Sequence, residues 1–440
     1  MNFITDKQTL DDLNILGRFK NSSIARLFDH AITAGGKRMM DNMFQYPLVD
    51  EHEINKRSSI FKYFTNNSVT FPFESKEFEV MENYLGSGGG NLASIAINTI
   101  SKKALQIAAQ DTEYELLREN LSTTITLIER FYNFLNSIQD DLSPLNDQLK
   151  HVEIIFKNPK LTWIFNKAEQ REISIIKVIK YDYLLRSKLH VEVQEMIEII
   201  FRLDVYIAVA SVARNRGFCF AKAFARQTNQ LTVSGLFHPA VKHAIGNNLA
   251  LDKDLNVVFL TGANMAGKST LMKSFGIAVY MAHMGFPIAA NHMDFSVKDG
   301  LYSSINISDN LEMGFSHFYA EVLRVKTVAL EVAAEKDIVV IFDELFKGTN
   351  VKDAYDATFT LTEAFAENRS CFFMISTHIV EVAESLKKYN NFSFVYLPTI
   401  MDGLIPRYTY KLTEGITADK HGMMIIENEG ILDIIKSGIK

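Results

Sequence analysis

TGANMAGKST, residues 261–270, is the stretch of sequence that decides the fold, because it matches the pattern G-x-x-x-x-G-K-[S/T]. The apolar, β-branched run at 257–260 predicts a buried strand before it, and residues 269–284 predict a helix after it. A glycine loop between a strand and a helix is the setting of a phosphate-binding P-loop. The alternative is an ordinary glycine-bearing turn, and the lysine and serine in register argue against it.

The residue types in this loop suit a nucleoside triphosphate. Gly262 and Gly267 allow the backbone to curl so that several N–H groups converge on phosphate oxygens, and the following helix adds the positive end of its dipole. Lys268 can reach the β- and γ-phosphates, and the Ser269 hydroxyl can ligate Mg²⁺. The predicted phosphate-binding residues are consecutive, namely Gly262, Ala263, Asn264, Met265, Ala266, Gly267, Lys268, Ser269 and Thr270.

A second predicted strand, 338–342, ends in a pair of acidic residues. The carboxyl end of a neighbouring parallel strand faces the same crevice as the P-loop, so the pair belongs near the phosphates. Asp343 would then hold Mg²⁺ through water, and Glu344 would polarise the attacking water. Paired acids at a strand end can also be ordinary solvated loop residues, and the pair by itself does not decide between the two interpretations.

A third apolar run, 371–375, leads into Ser376-Thr377-His378. A histidine at a strand end can sense the γ-phosphate or orient the water, because its ordinary pKa lies near neutrality. A lone histidine is more often structural, but the order of the three sites along the chain favours a functional role.

Together the three sites predict an ATPase of the ABC type, with ATP and Mg²⁺ as cofactors. The predicted catalytic residues are Lys268, Glu344 and His378. The predicted Mg²⁺ ligands are Ser269 and Asp343.

These motifs resemble those of the MutS family of DNA mismatch repair ATPases. The resemblance rests on the Asn-Met pair inside the P-loop, on Asp-Glu-x-x-x-Gly-Thr at 343–349 and on Thr-His at 377–378, in the family's order and spacing. Residues 308–321 are similar to the MutS signature loop, whose serine reaches across a dimer interface to the partner's γ-phosphate. Ser316 occupies that place, so the resemblance implies a site completed in trans. A plain helix N-cap serine is the alternative.

The first half of the chain resembles the family less strongly, at 27–38, 46–48 and 203–213. These segments are similar to the start of the MutS helical core, or lever, domain and to the helix that returns to the ATPase. The resemblance implies a helical core domain over residues 1–216 and an ABC-type ATPase domain over residues 217–440. The expected fold class is therefore an all-α lever domain followed by an α/β P-loop ATPase domain.

The coarse sequence pattern agrees with this layout. Apolar residues recur at helical spacing over 121–135 and 185–200, whereas strand and helix patterns alternate over 257–400. The glycine-rich segment 86–91 lacks the Lys-Ser pair of a second phosphate loop, so it predicts a connection between helices. A last strand is predicted at 405–412.

The departures from the family limit what the resemblance implies. The family's mismatch-reading domain carries a Phe-x-Glu wedge, but the Phe-x-Glu matches in this chain, at 342–344 and 365–367, fall inside the ATPase half. We therefore expect a short MutS-like protein with lever and ATPase domains only. Nucleotide chemistry carries over to it, and mismatch recognition does not.

The composition argues against the secreted and membrane-spanning classes. Hydrophobic residues make up 47% of the chain and there are only 8 prolines, which suits well-packed, ordered domains. The longest charge-free run, 274–293, is broken by glycine and proline, and the N-terminus lacks a signal-peptide pattern. Cys219 and Cys371 match no metal or redox spacing and are expected as small core residues. We therefore expect a cytoplasmic protein.

The charge distribution leaves DNA contact open. The net charge of −6 does not favour nucleic acid, but the segment 157–188 carries eight Lys and Arg residues against three acidic ones. Such a surplus can bind phosphates without reading sequence, or it can be a solvated helix face. Trp163 lies in the same segment, where it could stack on a base or anchor the core.

From these observations we expect a MutS-like ATPase, in which ATP binding and hydrolysis control DNA binding in mismatch repair or a related repair or recombination process. The expected partners are DNA and a second subunit, in a homodimer or heterodimer through the ATPase domain, with no membrane. Two other classes remain open. One is a nucleotide-gated clamp with negligible turnover, against which Asp343 and Glu344 argue; the other is an ATPase whose lever acts on a protein partner.

Overall fold

The computed structural model describes residues 3–17, 23–138, 144–165, 173–263, 265–305, 317–402, 405–417, 430, 431, 434 and 435. The chain folds into two units. Unit 1 contains residues 1–27, 44–58 and 213–440, and unit 2 contains residues 28–43 and 59–212. The division predicted from the sequence, at residue 216, differs from these units in three segments, because 1–27, 44–58 and 213–216 belong to unit 1.

Helices dominate the described residues before position 217, and strands alternate with helices after it. The α-helices are α1 (Lys7–Asp12), α2 (Ile24–Phe28), α3 (Ala34–Gln45), α4 (Glu51–Asn67), α5 (Ser75–Gly86), α6 (Leu92–Ala109), α7 (Glu113–Ile138), α8 (Asn146–Phe156), α9 (Ile175–Tyr183), α10 (His190–Arg216), α11 (Lys268–His283), α12 (His317–Ala333), α13 (Val351–Ala366) and α14 (Val380–Leu386). The strands are β1 (Cys219–Phe220), β2 (Lys222–Phe224), β3 (Gln230–Leu236), β4 (Asn247–Asp252), β5 (Val257–Thr261), β6 (Pro287–Ile288), β7 (His292–Ser296), β8 (Gly300–Ser304), β9 (Ile338–Asp343), β10 (Phe372–Ser376), β11 (Phe392–Tyr396), β12 (Thr399–Asp402), β13 (Ile405–Tyr408) and β14 (Thr413–Glu414).

Unit 2 is built from helices that bury amphipathic faces. The helix α7 buries Leu121, Ile125, Ile128 and Leu135 on one side, since its apolar residues recur about every 3.6 positions. The single tryptophan of the chain, Trp163, is buried in this unit. Its ring stacks on the ring of Tyr181 with centroids 3.6 Å apart, which favours the core-anchor interpretation over base stacking.

A buried ionic network lies beside this stacked pair. Asp182 follows Tyr181 on α9, and its carboxylate accepts a hydrogen bond of 2.5 Å from the Tyr84 hydroxyl. The Arg186 guanidinium donates to the same carboxylate, through Nε at 2.5 Å and through Nη2. Burial, together with the Asp182 charge, raises the pKa of Tyr84, so the hydroxyl stays protonated as a donor. Arg186 also donates to the carbonyl of Gly88, and this holds the connection between α5 and α6 in place.

Unit 1 is organised around a six-stranded sheet with the strand order β14-β11-β5-β10-β9-β8. Five strands are parallel and β14 pairs antiparallel with β11. All residues of β5, β8 and β10 are buried, so these strands are uninterrupted runs without a polar face, as expected for a parallel sheet covered on both sides. The strand registers align Ser376 with Leu260 on one side and with Asp343 on the other. The carboxyl ends of β5, β10 and β9 therefore meet at one edge.

A second sheet in unit 1 has the order β2-β7-β3-β4. Burial alternates residue by residue along β4, as in an antiparallel strand with one covered face. The N-terminal segments of the chain pack on α11 in this unit. The Tyr280 hydroxyl donates to the Phe44 carbonyl at 2.5 Å, and a Cβ at Gly276 would lie only 2.8 Å from Leu13 Cδ2. These contacts explain why 1–27 and 44–58 belong to unit 1.

The expectations about membrane-spanning helices and about the two cysteines can be compared with the described residues. None of the helices in those residues is long and apolar enough to cross a membrane. Cys371 is buried and Cys219 is half-buried, and both are free thiols.

We predict that Asp182→Ala lowers the free energy of unfolding of unit 2 by about 3–5 kcal/mol, because it leaves the largely buried Arg186 side chain and the buried Tyr84 hydroxyl without their carboxylate. Urea unfolding followed by tryptophan fluorescence measures this, since the only tryptophan reports on unit 2. The control is Glu198→Ala, which removes an exposed ion pair to Arg202 (3.9 Å) and should leave the midpoint nearly unchanged. Equal shifts in the two variants would contradict a structural role for the buried network.

Candidate functional site

The glycine loop between β5 and α11 is shaped by three residues with positive φ. Gly262 has φ 142°, Met265 has φ 71° and Gly267 has φ 102°. Gly267 caps α11, and a Cβ at this position would lie 3.1 Å from the Tyr410 ring. The left-handed backbone and the close approach both require glycine there. Asn264, which was predicted to bind phosphate, lies outside the described residues.

Lys268 occupies the centre of the loop. Its side chain is buried, and its ammonium donates to the carbonyls of Gly262 at 2.8 Å and Ala263 at 3.2 Å. Burial lowers the pKa of Lys268, while the charges of Glu344 and Asp343 act in the opposite direction. A desolvated ammonium whose acceptors are neutral carbonyl oxygens can exchange them for the charged oxygens of an anion, which are stronger acceptors.

Asp343 is held at the end of β9 by two serine hydroxyls. Ser269 Oγ donates to its Oδ2 at 2.5 Å, and Ser376 Oγ donates to its Oδ1. Ser376 reaches Asp343 because the two residues are register partners on adjacent parallel strands. The Asp343 carboxylate therefore lies directly beside the first turn of α11.

Glu344 and His378 form the outer part of the site. Glu344 has φ 55°, and its backbone N–H donates to the Ser376 carbonyl at 3.1 Å. Its Oε1 lies 2.6 Å from His378 Nε2, and both side chains remain partly exposed to solvent. The hydrogen bond from His378 is the main cause that lowers the pKa of Glu344, and the charge of Lys268 adds to it, whereas burial acts against them. The Glu344 carboxylate therefore stays ionised at pH values below the ordinary pKa of a glutamate.

The structure brings together five of the residues predicted from the sequence, namely Lys268, Ser269, Asp343, Glu344 and His378. Among the other predicted residues, Ala266 is buried, Met265 is 79% exposed and Thr270 faces a neighbouring cavity. Ser316 lies in the segment 306–316, outside the described residues. Sequence reasoning missed the role of Ser376, which joins Asp343 to the neighbouring strand. The apolar runs 338–342 and 372–375 each end in a polar residue, Asp343 and Ser376. Aligning the two runs as neighbouring strands could have revealed the contact.

A cavity of about 510 Å³ lies beside the glycine loop. Gly267, Thr270 and Leu271 line one side of it, and Ile245 and Tyr410 are among the residues on the other sides. Asn247 fixes this wall, because its amide donates to the Tyr410 carbonyl at 3.0 Å and its carbonyl oxygen accepts from Leu412 N at 2.7 Å. The surface of the cavity is mainly apolar, and polar side chains that could orient a bound molecule also line it, namely His238, Lys242, His243, Asn247, Thr270 and Ser274.

The basic segment of unit 2 presents fewer free cations than the sequence suggested. Arg186 is engaged by Asp182, and Lys157 pairs with Glu153 at 2.6 Å. Lys167 and Arg171 lie outside the described residues. Among the described cations of this segment, Arg186 is thus held by a buried carboxylate, whereas the Lys157 side chain remains 71% exposed.

Comparison with known families matches both halves of the chain. Residues 8–210 match MutS domain III, and residues 258–438 match MutS domain V. The first match runs through the helices from α1 to most of α10, and the second begins on β5, immediately before the glycine loop.

Individual relatives give a similar result. The chain is 28% identical over 211 residues to the DNA mismatch repair protein MutS of Clostridioides difficile. The aligned stretch covers 46% of this chain and 22% of that protein. It is 26% identical over 276 residues to the DNA mismatch repair protein MutS of Petrotoga mobilis, and this alignment covers 61% of this chain and 33% of that protein. For the MutS of Pseudothermotoga lettingae the identity is 26% over 310 residues, covering 66% and 36%. The matched part thus spans only 22–36% of these curated relatives.

Proposed function

The chain belongs to the MutS family, and we propose that it binds ATP at the glycine loop, which we take to be a P-loop in an ABC-type ATPase domain, and hydrolyses it. The observation that carries the proposal is the convergence of Lys268 and Ser269, after β5, with Asp343 and Glu344, at the end of β9, on two parallel strands that flank β10. A strand-end crevice is where ligands bind in open α/β sheets. The basic, hydroxyl and acidic side chains at this crevice match the needs of phosphoryl transfer.

Each residue of the site has a task in this proposal. The N-terminus of α11 and the Lys268 ammonium bind the phosphates, because both supply positive charge in a desolvated place. Glu344 accepts a proton from the attacking water or orients it, and the hydrogen bond with His378 keeps Glu344 ionised and fixes its direction. The cavity beside the loop is where we place the adenine, since its surface is mainly apolar and it adjoins Gly267 and Thr270.

The oxygen donors at the strand end also fit a divalent cation. The Ser269 hydroxyl and the Asp343 carboxylate lie within 2.5 Å of each other, and hard oxygen ligands are those that Mg²⁺ prefers. Ser376 supports this fit because it holds the other carboxylate oxygen of Asp343 in place. When bound, Mg²⁺ would neutralise charge on the phosphates.

We further propose that nucleotide turnover controls binding to DNA, in mismatch repair or a related repair process. The relatives that the chain matches are named DNA mismatch repair proteins, and residues 8–210 match MutS domain III. By resemblance to the family, Ser316 would complete the site of a second subunit in a homodimer or heterodimer. The two rival functions are a nucleotide-gated clamp with negligible turnover and an ATPase that acts on a protein partner.

We predict that Lys268→Ala weakens ATP binding by on the order of a hundredfold, because it removes a charge-assisted contact to the phosphates. Glu344→Gln should bind ATP within a few-fold of the unchanged protein and lower kcat by about a hundredfold or more, because only the barrier is affected. Isothermal titration and phosphate release measure the two effects. Lys253→Ala, an exposed lysine in unit 1, is the control. Hydrolysis by Glu344→Gln at the original rate would reject the assigned base.

The pH dependence of hydrolysis gives a second prediction, for His378→Ala. His378 is the main cause of the lowered pKa of Glu344, so its removal raises that pKa. A base is active only when it is ionised, so activity in the unchanged protein falls as pH drops through the lowered pKa of Glu344, below 4.5. In the variant the acidic limb should move to higher pH. Single-turnover hydrolysis measured at a series of acidic pH values tests this prediction. If the rates of the two proteins fall at the same pH, the contact with His378 does not lower the pKa of Glu344.

DNA binding is tested by titrating homoduplex, mismatched, branched and single-stranded DNA, each with and without ATP. We expect the affinity for at least one of these DNAs to change about tenfold or more with ATP, as a coupling of about 1.4 kcal/mol or more requires. Glu344→Gln should hold the ATP-bound affinity, because it does not turn over. Phosphate contacts are strongest at low salt. If none of these DNAs binds under that condition, the protein-partner function is favoured.

A further inference from the structure

The chain between β9 and α13 turns through two residues with a left-handed backbone. Glu344 has φ 55° and Phe346 has φ 61°. A positive φ is uncommon for a residue with a side chain, and for a bulky residue it is a clear outlier. Such residues persist only where the surrounding structure holds them, and they cluster at active sites. The contacts around this turn should therefore show what holds it.

The left-handed backbone at Glu344 has a direct effect on the site. Successive side chains of a strand point to opposite faces, so a strand continued beyond Asp343 would turn Glu344 away from its neighbour. The strand β9 instead ends at Asp343, which accepts a hydrogen bond from Ser269 Oγ. Glu344 Oε1 lies 2.6 Å from His378 Nε2, and the charges of both acids act on Lys268. The turn thus brings two consecutive acids to one crevice.

Hydrogen bonds hold the first part of the turn. The Glu344 N–H points to Ser376, with 3.1 Å to the carbonyl oxygen and 3.2 Å to Oγ. The Thr358 hydroxyl of α13 donates to the Leu345 carbonyl at 3.4 Å. Both contacts are made before the second left-handed residue, Phe346.

An apolar side chain holds the second part of the turn. Phe346 is only 2% exposed and belongs to the same buried cluster as Leu345. Its ring lies 5.7 Å from the ring of Phe318 on α12, with an interplanar angle of 57°. Lys347 and Gly348, which come next, are exposed. Phe346 is therefore the last buried residue before the turn leaves the core.

The residue type at position 346 is informative. Glycine adopts a positive φ readily because it has no Cβ, so a turn that needed only this backbone conformation would be best served by glycine. A phenylalanine is strained there, and the strain persists only if burial of the ring offsets it. A left-handed backbone combined with a buried ring therefore indicates that the ring fixes the turn.

We propose that Phe346 is a positioning residue, whose buried ring fixes the turn that directs the Glu344 carboxylate to His378 and to the crevice of Lys268. Phe346 acts through the backbone and not by contact with the nucleotide. The proposal rests on the proposed function, since it is there that Glu344 acts on the attacking water. Accurate placement matters because a misplacement of about 1 Å can lower a rate by about a hundredfold.

The variant Phe346→Gly separates the ring from the backbone conformation, because glycine accepts the same φ without strain. We expect kcat for ATP hydrolysis to fall about tenfold or more, while the Kd for ATP stays within about threefold, because the glycine loop is unchanged. Phe346→Leu keeps an apolar anchor and should retain kcat within about threefold. If the glycine variant does not fold, Phe346→Ala gives the same comparison.

The matched control is Phe392→Ala. Phe392 is 7% exposed and belongs to the same buried cluster, but it pairs with Val257, the first residue of β5, at the opposite end of the sheet from the site. Removing either ring should lower the midpoint of thermal unfolding, followed by circular dichroism. Only the changes at Phe346 should lower kcat, measured at a temperature where all the variants are folded.

Amide hydrogen exchange of residues 343–350, without nucleotide, tests the positioning independently of turnover. The bond from the Glu344 N–H to Ser376 should open more often in Phe346→Gly, so this segment should exchange about tenfold faster or more. In Phe392→Ala its exchange should be unchanged. If the unchanged protein hydrolyses no ATP, the proposed function is wrong, and hydrogen exchange alone decides the positioning.

Three results would overturn the proposal. One is a folded Phe346→Gly chain that keeps the original kcat. Another is an equal loss of kcat in Phe346→Gly and Phe392→Ala, which would reflect general destabilisation. The third is a segment 343–350 that exchanges no faster in Phe346→Gly than in Phe392→Ala.

Discussion

The parallel pairing of β10 with β5 and β9 is the constraint on which the site depends. Its register aligns Ser376 with Leu260, one residue before the end of β5, and with Asp343, the last residue of β9. Because of this alignment, one serine holds a carboxylate of the next strand and accepts the backbone N–H of Glu344. A shift of one residue in either strand would turn these side chains to the other face of the sheet, and the acids would no longer adjoin the glycine loop.

The sequence was most informative where burial is complete. The runs 257–261, 338–343 and 372–376 are apolar because both faces of the sheet are covered, so their type and their polar ends could be predicted without knowing their neighbours. The helical spacing over 121–135 likewise matches the buried side of α7. The clustering of five of the predicted site residues followed from a general rule of α/β sheets and required no knowledge of side-chain conformation.

Long-range packing could not be predicted in the same way. The segments 1–27 and 44–58 belong to unit 1 because of contacts such as Tyr280 with the Phe44 carbonyl, which no local pattern encodes. Periodicity also shows that a helix has two faces without showing which of them faces inward. In α6 the inner face is mixed, because Ile95 and Thr99 are buried while Lys102 and Gln106 find acidic partners on α7. Partners outside the helix, which its own periodicity does not reveal, therefore belong to this face.

The electrostatics of the site explain how the fold can hold a lysine that it has largely removed from water. Burying Lys268 is unfavourable, and neutral carbonyls of Gly262 and Ala263 offset part of that cost. In the proposed function, phosphate oxygens would replace these neutral acceptors with charged ones, and hydrogen bonds to ionised acceptors are about twice as strong. The desolvation of the ammonium has by then already occurred during folding. Binding a phosphate therefore gains the stronger contact without repeating that cost, which is the advantage of a site organised in advance.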